Sequence, residues 1–187
     1  MKDYNIDLPH LLQHTSGIKS FTGLRSYRQL MHAPTKHEEI IDRFKDEPFD
    51  FAPGEKYKYN NSGYYVLGVI MEMAAEQDYS EFLQKRVFTP LAMTNTYYDT
   101  PNKIIPHRAA GYYRWNVEPR NARYVDRCQP FSAGALASTA EDLIHWPVSY
   151  THLRAPETKL QALYTILLDV NKLQLSTNTT QQSPILH

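Results

Sequence analysis

Apolar residues recur at helical spacing most clearly between positions 61 and 76. Tyr64, Leu67, Gly68, Met71 and Ala75 form one stripe there, and Val66, Val69, Ile70 and Met73 make the other side apolar too. A helix apolar almost all round is a buried one, and only Glu72 and Glu76, one turn apart, mark a wet edge. Asn61 or Ser62 is placed to cap its start. Three further helices are announced by their first residues. Thr35-x-x-Glu38 reads as a capping box ahead of Ile40, Ile41 and Phe44, with Pro48 ending the element. Asp78 with Glu81 opens a helix carrying Phe82, Leu83 and Val87 to a stop at Pro90, and Ser138-x-x-Glu141 opens one with Leu143, Ile144 and Trp146 apolar.

Between the helices, Pro53-Gly54 is a turn signal, because Pro presets φ and Gly accepts φ > 0. Short β segments are expected at 110–115 and 122–125, inside a stretch rich in Tyr, Arg and Pro that reads as a loop-heavy excursion. No internal repeat is visible.

Composition narrows the classes. At 187 residues with 42% apolar content the chain is long enough for one core-bearing domain. Twenty basic and twenty acidic residues cancel, so no net charge draws nucleic acid or an anionic membrane surface, and no nucleic-acid role is expected. The longest apolar stretch, 64–75, is interrupted by Glu72 and is too short for a membrane span. The single cysteine, Cys128, excludes an intrachain disulfide and any multi-cysteine metal site.

Candidate chemistry centres on 51–68. A tight turn delivers Tyr59 and Asn61 just before the buried helix, and residues two apart in an extended segment point to the same side. A phenol exchanges a proton and an amide both donates and accepts hydrogen bonds, which suffices for proton transfer plus substrate positioning. The structural alternative makes Tyr59 a core residue and Asn61 a helix cap. Other candidates are weaker. His10 and His14 are four apart, but Leu11 stands where a metalloprotease motif needs Glu. Asn61-Ser62-Gly63 lacks the first Gly of a nucleophile elbow. Arg120, Arg123 and Arg127 read as a loose, solvated basic cluster.

Four segments together carry a resemblance. They are His10-Leu11-Leu12-Gln13-His14-Thr15-Ser16-Gly17-Ile18; Phe51-x-Pro53-Gly54 with Tyr59-Asn60-Asn61-x-Gly63-Tyr64-x-x-Leu67-Gly68; Phe88-x-Pro90-Leu91-Ala92-Met93-x-x-Thr96; and 133–143, AGALASTAEDL. In this order they resemble the serine β-lactamase-like and penicillin-binding-protein-like hydrolases, a family that includes class C β-lactamases, D-alanyl-D-alanine peptidases and esterases. Asn60 stands where that family usually has Ser, and Ala92 and Ala135 where it usually has Gly. Ala135 is out of place if its position needs φ > 0.

The resemblance implies an incomplete α/β (α+β) β-lactamase-like fold, mainly the helical subdomain with short β segments, over 1–146. It implies acyl-serine chemistry on a β-lactam, D-Ala peptide or small ester, with Tyr59 as catalytic proton shuttle and Asn61 as the substrate-orienting amide. It implies no cofactor and no metal. The family's Ser-x-x-Lys and Lys-Thr-Gly or His-x-Gly motifs are missing, so the chain is expected to hold no nucleophile and to be inactive alone. The signal region of an exported or periplasmic parent would likewise lie outside it. Ser16-Gly17-Ile18-Lys19 matches Ser-x-x-Lys literally, but Gly17 is a poor residue for a helix holding Ser and Lys one turn apart. Lys19-Ser20-Phe21-Thr22-Gly23 only echoes the third motif, on the wrong side of Tyr59. The competing reading is a non-catalytic relative that binds cell-wall peptide.

Past Trp146 the character changes to a polar, low-complexity end. Pro147–Ala155 can be back-translated into DNA containing CTGTCTCTTATACACATCT, which looks like a transposon end used in sequencing libraries. Residues 147–187 are therefore expected to be a non-native tail.

Overall fold

The computed structural model describes residues 4–115 and 118–152. Six α-helices are present among them: α1 (Leu8–Leu12), α2 (Arg25–Leu30), α3 (His37–Asp42), α4 (Asn61–Ala75), α5 (Tyr79–Leu83) and α6 (Ala140–His152). Two antiparallel ribbons accompany them. Strand β1 (Tyr97–Tyr98) pairs with β4 (Leu136–Ala137), and β2 (Tyr112–Trp115) with β3 (Glu118–Asn121). The result is a mixed structure of helices and short strands. No helix of the described residues is long and apolar enough to cross a membrane.

Helix α4 is the axis, and α1, α3, α5 and the single turn Phe131–Ala133 pack on it. Tyr65, Leu67 and Met71 are buried on its inner side. The core continues through Phe21, Ile40, Leu83, Val87, Phe88 and Trp146. The close seat of the 131–133 turn depends on Gly68, since a Cβ there would lie 2.1 Å from Ser132 Oγ. The all-round burial expected of α4 holds only for its first half. Met73 is 76% exposed and Ile70 lies at the surface while Met71 between them stays buried, so the second half of α4 is covered on one side only.

Helix starts differ from expectation in a consistent way. The cap of α4 is Asn60, not Asn61 or Ser62: its backbone is extended and its Oδ1 accepts from Gly63 N at 2.9 Å. The Thr35 box is not formed, since α3 begins after Lys36 and Thr35 Oγ1 donates instead to Ala33 O. Thr139 rather than Ser138 caps α6, accepting from Asp142 N at 3.2 Å, while Ser138 Oγ pairs with Thr96 Oγ1 at 2.8 Å. In each case the expected capping side chain is engaged by another partner, mostly one distant in sequence: Thr22 for Asn61, Lys19 O for Ser62, Gln129 for Thr35 and Thr96 for Ser138. Glu72, expected at a wet edge, accepts from Tyr79 N at 2.8 Å and so caps the next helix. Helix α5 runs on into a single π-helical turn, Gln84–Phe88, before Pro90.

Strand β2 falls within its expected segment, but its partner is Glu118–Asn121 rather than 122–125. Register explains the shift, because Tyr112 opposes Asn121 and Ala122 N closes the ribbon on Gly111 O at 2.8 Å. Of the two glycine-to-alanine departures, Ala92 has φ 54° and Ala135 is not in the left-handed region, so the strain falls at Ala92. Helix α6 runs six residues into the segment expected to be foreign, and the remainder of that segment, 153–187, lies outside the described residues.

Candidate active site

The chain enters α4 through Tyr59, Asn60 and Asn61, and each side chain does a different job. Asn60 is buried; besides capping the helix, its N–H donates to His14 Nδ1 at 3.1 Å and its amide donates to Ile18 O. With the cap supplied by Asn60, Asn61 is released from that role. Its Oδ1 accepts from Tyr59 OH at 2.9 Å and its Nδ2 donates to Thr22 Oγ1 at 3.0 Å. Phenol and amide therefore lie on the same side of the backbone, in contact, with Tyr59 42% exposed. Among the described residues, one N–H and one acceptor lobe of the Asn61 amide remain uncommitted, as do the phenol oxygen's own lone pairs.

The support beneath the pair comes from residues 14–22. Ser62 Oγ donates to Lys19 O and accepts from Phe21 N, both at 2.8 Å, and so stitches that segment to the first turn of α4. Ser20 and Thr22 share a hydroxyl hydrogen bond at 3.0 Å directly beneath Asn61. His14, at φ 57°, is buried with its ring 4.7 Å from both Tyr59 and Tyr64, which fixes the tilt of the phenol ring. Because Nδ1 accepts the Asn60 N–H, that nitrogen carries no proton.

Electrostatics set the limits of the pair. Burial first, and then the adjacent Tyr57, push the Tyr59 phenol above its ordinary value. The nearby ammonium groups do not oppose this, because Lys19 and Lys58 both bind the Asp50 carboxylate, Lys58 at 2.6 Å. Burial works to raise the Asp50 carboxyl, but hydrogen bonds and charge from the two lysines outweigh it and hold the group below the usual carboxylate range.

The literal Ser-x-x-Lys is not a nucleophile helix. Residues 16–19 are not helical, Ser16 is buried at 1% exposure with no partner for its Oγ among the described residues, and Lys19 is turned to Asp50. Gly17 at φ 71° is required there, since a Cβ would stand 2.0 Å from Phe51 O. Gly54, at φ 82°, makes the expected turn. His10 Nδ1 accepts from Asp7 N, and no group of three or more potential metal ligands occurs among the described residues. Arg127 does not join Arg120 and Arg123; it turns to Asp99 beside Arg108, leaving the other two exposed.

Three contributors were not given these roles beforehand. His14 was weighed only with His10 as a metal pair, Asn60 counted only as a departure from Ser, and 19–23 as a mere echo. None of the three carried a local signal: Ser20 and Thr22 come together through the single 3-10 turn Phe21–Gly23, not through strand alternation.

Residues 2–184 match the family model described as Beta-lactamase. The chain belongs to the Beta-lactamase family. A penicillin-binding protein of Bacillus subtilis (strain 168) is 33% identical over 113 residues, which make up 57% of this chain and 25% of that protein. The solved penicillin binding protein from Bacillus halodurans superposes with a TM-score of 0.68 at 25% identity, covering 86% of this chain and 49% of that one. A D-stereospecific amidohydrolase from Streptomyces sp. gives a TM-score of 0.69 at 20% identity, covering 82% and 49%, a likeness of fold. The fold is thus β-lactamase-like, and the chain spans about half the length of these solved members and a quarter of the Bacillus subtilis relative.

Proposed function

We propose that residues 59–62 form one wall of a serine hydrolase site that cleaves an amide or ester through an acyl-serine intermediate. Tyr59 is the proton shuttle and Asn61 the amide that orients the substrate. The observation that carries this is the 2.9 Å contact between phenol and amide on an open face of an otherwise packed helix entrance. In this reading the serine oxygen attacks the carbonyl carbon while its proton passes to the tyrosine oxygen. The same proton then goes to the departing amine or alkoxide, and water repeats the sequence to release the acid. Substrates of the amide class are favoured by the fold likeness to an amidohydrolase and by kinship with penicillin-binding proteins.

The nucleophile and its lysine come from a segment other than residues 16–19. That lysine has a second task. An ordinary tyrosine ionises near pH 10 and Tyr59 is pushed higher, so an ammonium must stand beside it for the phenol to act as a base at neutral pH. The 187-residue chain alone is then silent toward a chromogenic β-lactam or a short-chain ester. In the longer open reading frame, Tyr59→Phe lowers kcat by about 10²- to 10⁴-fold with little change in KM. Full turnover by that variant refutes the assignment. Labelling of Ser16 by a fluorophosphonate, read by mass spectrometry, refutes the location of the nucleophile.

A further inference from the structure

Asn61 turns its oxygen to the phenol, and what fixes that choice lies on the far side of the amide. Asn61 Nδ2 donates to Thr22 Oγ1 at 3.0 Å, Thr22 Oγ1 lies 3.0 Å from Ser20 Oγ, and Ser20 Oγ accepts the Asn61 backbone N–H at 3.4 Å. The two hydroxyls are brought together by the single turn Phe21–Gly23, which Gly23 N closes on Ser20 O at 3.1 Å. Phe21, between them in sequence, is 1% exposed, and its N–H is bound to Ser62 Oγ. The hydroxyl oxygens are therefore held by the core and by the head of α4, while their hydrogens stay free to rotate.

A hydroxyl carries one hydrogen and two acceptor lone pairs, so this chain has two complete settings. In the first, Asn61 Nδ2 donates to Thr22, Thr22 donates to Ser20, and Asn61 Oδ1 accepts from Tyr59 OH. In the second, Ser20 donates to Thr22, Thr22 donates to Asn61 Oδ1, and Nδ2 faces the phenol oxygen. Either hydroxyl can be the donor of the contact between them, and Ser20 keeps the Asn61 N–H in both settings. Going from one to the other needs only rotation of two O–H bonds and a half-turn of the amide. Without Ser20, the Thr22 hydrogen would lose its acceptor in the first setting but not in the second.

The two settings suit opposite states of the phenol. A carbonyl oxygen that accepts the O–H favours the neutral group, whereas an N–H donated to the oxygen favours the phenolate. The other titratable groups nearby are His14, its ring 4.7 Å away, and the adjacent Tyr57, while Lys19 and Lys58 are bound to Asp50. We infer that Ser20 and Thr22 are positioning residues, a reversible hydrogen-bond relay that lets Asn61 present its oxygen to the phenol and its N–H to the phenolate. When the serine proton reaches Tyr59, the neutral phenol meets the amide oxygen. When that proton leaves with the amine or alkoxide, the phenolate meets the amide N–H. No proton travels along the relay. Its use in turnover rests on the acyl-serine reading; the reversal itself does not.

The test places at position 59 of the 187-residue chain a tyrosine with fluorine on both ring carbons beside the hydroxyl, which ionises near neutral pH. The ¹⁹F shift reports ionisation, and Overhauser contacts from the Asn61 side-chain N–H₂ report which end of the amide faces the ring. As the phenol ionises, the contact to the fluorines is expected to grow severalfold and the contact to the Thr22 methyl to fade. In Ser20→Ala, with an unchanged backbone spectrum, the fluorine contact is strong before ionisation begins, a direction that mere loosening would not give. Thr22→Val, of the same shape but without the hydroxyl, shrinks the change, and Thr22→Ser restores it. An amide that stays on Thr22 through the ionisation, or a Ser20→Ala variant that behaves like the original, overturns the relay and leaves Tyr59 its role. Full turnover by Tyr59→Phe overturns the acyl-serine reading and the relay's use in it, even where the reversal is seen.

Discussion

Replacing Gly68 with Ala separates two effects that act in opposite directions. Alanine is the better helix former by about 1 kcal/mol, so an exposed glycine in the middle of a helix would gain stability on replacement. Gly68 is not exposed. Its new methyl would meet Ser132 Oγ at 2.1 Å, Ser132 Cβ at 2.4 Å and Phe131 Cε1 at 2.7 Å. The turn carrying these atoms cannot simply retreat, because Ser132 Oγ donates to Tyr64 O at 2.8 Å and the Phe131 ring is packed against Tyr65 and Tyr79. Overpacking of a tight core costs about 1–3 kcal/mol, and all three of these contacts lie inside any tolerable separation, which puts this substitution in the upper part of that range. The net expectation is a loss of about 1–2 kcal/mol, the helix gain included. Gly23 is the control. Nothing lies within 4 Å of its would-be Cβ and its φ is not positive, so Gly23→Ala is expected to be neutral or to stabilise by about 0.4–1 kcal/mol. Urea unfolding followed by far-UV circular dichroism reads both, with Gly68→Ala moving the midpoint down by about 0.5 M or more. A Gly68→Ala midpoint at or above wild type refutes the packing argument.

Ala92→Gly relieves a left-handed alanine and should stabilise by about 0.5–1 kcal/mol after the entropy of glycine is counted, whereas Ala135→Gly, buried and unstrained, should destabilise; thermal melts decide. Asn60→Ala should cost about 1–2 kcal/mol through loss of the cap, while Asn60→Ser, which keeps an acceptor for Gly63 N, should cost less. Asp50 is held below its unfolded value, so its contribution is complete above about pH 4 and lost as pH falls through the lower folded value; Asp50→Asn should flatten the acid limb of a midpoint-versus-pH curve below about pH 4. The family match runs to residue 184, across the 147–187 segment expected from its sequence to be non-native; if that expectation is right, removing residues 153–187 should leave the melting midpoint unchanged, and a clear drop would show that the tail belongs to the fold.

The long helix and its entrance were legible because the physics there is local. Helical spacing from Tyr64 to Met71 marks the buried stripe, Pro53-Gly54 marks the turn, and the alternation of Tyr59 and Asn61 puts both on one side. Caps were less legible, because Thr35 and Ser138 compete for partners far away in sequence that no local pattern reveals. The same holds for His14, whose value comes from stacking against rings 45 and 50 positions later. The strand pairs β1–β4 and β2–β3 are at most four residues long, too short for alternation to show, and Arg127 found its partner through the fold rather than through its neighbours Arg120 and Arg123.

The stitching of residues 14–22 to the head of α4 through Asn60, Asn61 and Ser62 makes the phenol–amide geometry a tertiary property. Variation at Ser62 or Thr22, whose hydroxyls hold the stitching, will therefore mimic damage to Tyr59 and Asn61 themselves. A survey of loss-of-function alleles should find such positions beside Tyr59 itself, and distinguishing the two kinds needs a rescue experiment rather than an activity assay.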